Sequence, residues 1–139
     1  MILTPLTLRS WLMVQPVYRD ASTAQWQWID RQLVEAFKNN TVQVWKDKKS
    51  ILAVVAYKLI CLSDVPRVIG REWVDHVNDL FDMVPVVFVT NLATKPGFDM
   101  RYLRRFLRSL PAQGIIWFRE DKQVHYFPRQ RGFNVAHRT

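Results

Sequence analysis

The chain has 139 residues, 49% of them apolar and 23% charged, a length and composition that suit one domain with its own core and exclude wholesale disorder. Its 20 Lys and Arg against 12 Asp and Glu give a formal charge of +8, a field that draws acidic partners such as nucleic acid, an anionic surface or an acidic protein. No stretch of about 18 uncharged apolar residues occurs, which argues against an integral membrane span, and the single cysteine, Cys61, excludes an intrachain disulfide and a cysteine metal cluster.

The opening MILTPLTLRSWLMV is hydrophobic but has neither a basic start nor a small-residue cleavage site, so it reads as folded sequence rather than an export signal. Leu8 to Val14 reads as a short helix or an extended segment that Pro16 ends. From Ala21 to Asn39, Trp26, Ile29, Leu33 and Phe37 recur at helical spacing, with Asp20 or Ser22 placed to cap. Thr41 to Trp45 and Ile51 to Leu62 read as a hairpin around Lys46–Lys49, with Cys61 as an inert buried thiol of a cytoplasmic protein.

Glu72 to Phe81 reads as a helix. Val84 to Val89 is apolar enough for a central strand, and Asn91 to Gly97 reads as a loop. Asp99 to Leu110 is the clearest helix: Leu103, Phe106, Leu107 and Leu110 make one face, and Arg101, Arg104, Arg105 and Arg108 the other. Ile115–Arg119 and Gln123–Phe127 form a second hairpin, and a basic tail begins at about residue 129. The expected fold is a single α/β (α+β) domain over residues 1–139, a mostly antiparallel central sheet covered by helices.

Trp11-Leu12 followed by Gln15-Pro16-Val17-Tyr18-Arg19 resembles the N-terminal signature of the bacterial toxin-activating lysine acyltransferases, the hemolysin-activating proteins of RTX toxin operons. Phe88-Val89-Thr90-Asn91-Leu92-Ala93, the arginine-rich helix after it and Phe118-Arg119 with Val124–Phe127 are similar to further family blocks in the same order. The resemblance implies a GNAT-like acyltransferase fold, an acyl carrier protein as donor and a toxin lysine as acceptor. It also carries the family's catalytic histidine to Tyr18 and its catalytic aspartate to Thr90. A phenol, with a reference pKa of about 10, draws a proton from an amine poorly near neutral pH. Threonine cannot stabilise an imidazolium as a carboxylate does. The resemblance therefore implies the scaffold without the family's reaction.

Among the other histidines, His76, His125 and His137, only His125 is a candidate for a displaced acid–base pair, with Asp121 or Asp99. No metal-ligand spacing occurs, and no glycine-rich loop for a phosphate or coenzyme A. No cofactor is expected; an acyl carrier protein would enter only as the donor of an active enzyme. The candidate partner-binding residues are Arg19, Arg101, Arg104, Arg105, Arg108, Arg129 and Arg131, because guanidinium forks onto phosphate or carboxylate. Tyr126, Phe127 and Phe133 interleave with the basic tail in a pattern suited to single-stranded nucleic acid. The expected function is a non-catalytic, acyltransferase-like binding or regulatory protein that engages an acidic partner, protein or nucleic acid. The alternatives are a divergent lysine acyltransferase using an acyl carrier protein, a DNA- or RNA-binding protein on the same scaffold, and a homodimer with a structural role.

Overall fold

The computed structural model describes residues 2–61, 85–118 and 124–128. The expected helix at Glu72–Phe81 and the basic tail lie outside those residues. The described part is mixed α and β, and its strands β1 (Val42–Lys46), β2 (Ile51–Ile60), β3 (Val86–Thr94), β4 (Gly114–Phe118) and β5 (Val124–Pro128) are hydrogen-bonded in that order. The chain divides into two compact units, Met1–Lys58 with Val89–Asp99, and Leu59–Phe88 with Met100–Thr139. No helix among the described residues is long and apolar enough to cross a membrane.

In the first unit, helix α1 spans Pro5–Met13. It begins earlier than the hydrophobic pattern alone indicates, because Thr4 accepts from the Thr7 amide and Pro5 supplies a pre-set φ at the first helical position. A short 3-10 turn, Pro16–Tyr18, leads to α2, Thr23–Lys38. Ser22 and Gln25 close a reciprocal capping box, Gln25 N to Ser22 Oγ at 3.1 Å and Ser22 N to Gln25 Oε1 at 2.7 Å. The helix ends where Asn40 takes a φ of 56°, a left-handed position that asparagine tolerates, and Thr41 N returns to Ala36 O at 2.8 Å.

Strands β1, Val42–Lys46, and β2, Ile51–Ile60, pair antiparallel. Their turn is held by the Asp47 carboxylate, which accepts from the amides of Lys49 and Ser50 at 2.8 and 2.7 Å. Those bonds also hold the Asp47 carboxyl below its ordinary range. Strand β3, Val86–Thr94, extends past the expected end at Val89. Thr90 Oγ1 donates to Ala56 O at 3.1 Å and Lys95 N to Leu52 O at 2.8 Å. Residue numbers rise along β3 as they fall along β2, so the two strands run antiparallel there. Gly97, with φ 86°, closes the turn after β3, where Phe98 N donates to Lys95 O at 3.1 Å.

Leu12, Ile29, Leu33, Ala36, Ala56 and Ala93 form the core between the helices and the sheet, with Trp11, Tyr18, Trp26 and Trp28 packed at its margin. Leu8, Ile51 and Val54 form a second cluster. Cys61 corrects the sequence reading: it lies just past the last residue of β2 and is exposed, not buried.

In the second unit the start of β3 runs parallel to β4, Gly114–Phe118, pairing Val87 with Ile115 and Phe88 with Ile116. A parallel pair needs a crossover, and helix α3, Met100–Ser109, lies in that connection. Strand β5, Val124–Pro128, pairs antiparallel with β4. Val86, Val87, Phe88, Leu103, Leu107 and Ile116 are buried.

Leu33 is 1% exposed at the centre of the first core. Leu33→Ala should cost about 2–5 kcal/mol, and Ser22→Ala, which removes only the cap, about 1 kcal/mol. Urea unfolding followed by circular dichroism measures both, and equal losses would refute this ranking.

Candidate functional site

Among the described residues, two features carry polar chemistry, one in each unit. The first is built on the 3-10 turn and on β3. Tyr18 ends the turn, and its hydroxyl donates to Asn91 Oδ1 at 2.8 Å. Its ring lies 5.6 Å from Trp26, whose face also carries the Arg9 guanidinium at 5.0 Å. Arg9 Nε donates in turn to Asp30 Oδ1 at 2.7 Å. That ion pair is half-exposed and adds at most about 1 kcal/mol.

The residue facing Tyr18 is Asn91, not Thr90. Successive strand side chains point to opposite faces. Thr90 turns its hydroxyl to the backbone of β2, and Asn91, 2% exposed, turns to the helices together with Ala93. The dyad positions that the resemblance places at Tyr18 and Thr90 are therefore not brought together.

Asn91 was outside the site expected from sequence because Asn91–Gly97 reads as a loop. The signal that would have found it is the alternation Val89, Asn91, Ala93, all buried, against half-buried Thr90, Leu92 and Thr94.

Burial drives the Tyr18 hydroxyl well above the ordinary phenol range, and the Leu92 backbone amide only partly opposes this. The group is a neutral phenol near neutral pH, with its proton already engaged by Asn91. Asn91 Nδ2 is buried and has no hydrogen-bond partner among the described residues. The pair can donate a hydrogen bond, but it holds no accessible lone pair basic enough to take a proton from an amine.

The second feature is α3. Arg101, Arg104, Arg105 and Arg108 are exposed, while Leu103 and Leu107 are 3% and 5% exposed. At about 100° per residue the four arginines share an arc of roughly 100°. Neighbours three and four apart repel by about 0.2–0.5 kcal/mol per pair, whereas burying each leucine contributes about 1.5–3 kcal/mol. Burial wins, so the helix holds the like charges on one face. Arg108 in the last turn also suits the helix dipole. Among the described residues, no carboxylate pairs with Arg104, Arg105 or Arg108.

Of the other candidates, Arg19 is exposed at the end of the 3-10 turn, in the first unit. His125 occupies β5 opposite Trp117. Asp121, His76, His137, Arg129 and Arg131 lie outside the described residues, as do Lys122 and Phe133. No protein-family model matches the chain, and no curated protein matches it at a significant level.

Tyr18→Phe should cost about 1–3 kcal/mol, because it removes the donor to the buried Asn91 Oδ1, and the double variant Tyr18→Phe/Asn91→Leu should recover most of that loss. Denaturant titrations of the two single variants and the double variant test this; additive losses would contradict it. Because the folded-state pKa of Tyr18 is raised, the associated stability is present below the unfolded value of about 10 and is lost as pH rises above it. The alkaline limb of a stability–pH curve should be shallower for Tyr18→Phe. Tyr57, also raised by burial, contributes to that limb in both proteins.

Proposed function

We propose that this chain is a binding or regulatory protein, on an acyltransferase-like scaffold, that engages an acidic partner through the arginine face of α3. The carrying observation is that face: four exposed guanidiniums on one side of a 10-residue helix, three of them without a carboxylate partner among the described residues. A partner that supplies negative charge relieves the repulsion along the stripe, and forked guanidinium contacts add direction to the attraction.

The chemistry at Tyr18 supports a role without proton transfer. The resemblance to lysine acyltransferases asks for an imidazole and a carboxylate, and Tyr18 and Asn91 are a phenol and an amide. Neither titrates near neutral pH, so the pair cannot turn an ammonium into a nucleophile. A mixed α and β fold with an arginine-rich crossover helix is compatible with a GNAT-like scaffold, and the function proposed does not require that assignment.

The test is retention on immobilised heparin, with charge-matched variants to separate the face from the overall charge. Arg104→Ala/Arg105→Ala/Arg108→Ala should elute at clearly lower salt than Lys46→Ala/Lys48→Ala/Lys49→Ala, which removes the same charge from the exposed end of β1 and the turn after it. Equal shifts in the two variants would mean that net charge alone is being read, and the proposal would fail.

A further inference from the structure

We infer that the acidic partner of the α3 face is single-stranded nucleic acid. This rests on the functional reading above and specifies its partner. The sequence from Met100 to Arg119 contains no Asp or Glu, and every cation in it is an arginine. Guanidinium is the group whose planar fork matches phosphate oxygens in pairs. The seven steps from Arg101 to Arg108 span about 10 Å along the helix, so the stripe follows a backbone rather than capturing one isolated anion.

The choice of nucleic acid over an acidic protein comes from Tyr102. That residue is 53% exposed on the same helix, three residues before Arg105 and next in sequence to Arg101. On the helical wheel it borders the arginine arc, on the side of half-buried Phe106. A carboxylate surface has no particular use for an aromatic ring beside the guanidiniums. An unpaired base does, because it can stack on the ring while its phosphates meet the arginines. Bases in a duplex are already stacked, so the combination favours a single strand.

The experiment is fluorescence anisotropy of the full chain with a labelled oligothymidylate of about 20 nucleotides, long enough for one or two binding sites, across a series of salt concentrations. A labelled polyglutamate of similar length is the second probe. Binding of the oligonucleotide should weaken with salt with a log–log slope of about −2 to −3, and Arg104→Ala/Arg105→Ala should make that slope shallower by about 1.4. Lys48→Ala/Lys49→Ala should leave the slope unchanged. Tyr102→Ala should weaken binding roughly tenfold with no change in slope, the signature of lost stacking rather than lost charge.

Arginine-dependent binding that is indifferent to Tyr102→Ala would overturn the single-strand assignment. Polyglutamate binding that needs Arg104 and Arg105, with no oligonucleotide binding, would overturn the nucleic-acid inference and leave the acidic-partner reading standing. Binding of both probes that ignores Arg104 and Arg105 would overturn both.

Discussion

One hydrogen bond decides what the first unit can do. The Tyr18 hydroxyl reaches Asn91 across 73 positions of sequence and ties the turn between two helices to the inner face of a strand. Two neutral groups in a buried place hold each other without a charge to solvate, which is the inexpensive way to bury polarity. The same neutrality removes proton chemistry. An imidazole and a carboxylate at these positions would titrate and polarise each other near neutral pH. A phenol and an amide do neither, and burial moves the phenol further from ionisation. The tie serves structure, and it offers no base for amine chemistry.

The arginine face of α3 is where the physical chemistry leaves something unfinished. Its apolar side is satisfied: Leu103 and Leu107 are buried, and their burial outweighs the mutual repulsion of the arginines. Its polar side concentrates charge of one sign without a compensating acid on the helix. Cations scattered over a surface need no partner. Cations placed by a helix on one side can meet one acidic ligand together, so that ligand gains from several forked contacts at once.

Much of this was legible in the sequence because the strongest patterns are local. The stripe of α2, the β1–β2 hairpin and the two faces of α3 follow from apolar spacing, and Ser22 is a recognisable cap. The start of α1 was missed because Thr4 and Pro5 act by capping and pre-set φ, which apolar periodicity does not register. The parallel pairing of β3 with β4 is a long-range outcome that neither strand's own sequence encodes.

The costliest misreading was the end of β3. Polar Thr90 and Asn91, followed by Lys95-Pro96-Gly97, resemble a loop, yet Asn91 is polar because it faces Tyr18 and not because it faces water. In a strand, a shift of one residue changes the face, so Thr90, where the resemblance puts the family's aspartate, meets the backbone of β2 while Asn91 meets Tyr18. The arginines of α3 keep the exposed face expected for them. Those of the tail lie outside the described residues.

Whether Tyr18 stays a locked phenol can be measured directly. Tyrosine labelled with carbon-13 at Cζ reports ionisation by a large shift in its NMR resonance, and Tyr18→Phe assigns the signal. The Tyr18 resonance should keep its protonated position as pH rises past the ordinary phenol value of about 10, changing only as the protein unfolds. A Tyr18 resonance that titrated well below that value, toward neutral pH, would put a usable base at this site and contradict the account of Tyr18 as a locked phenol.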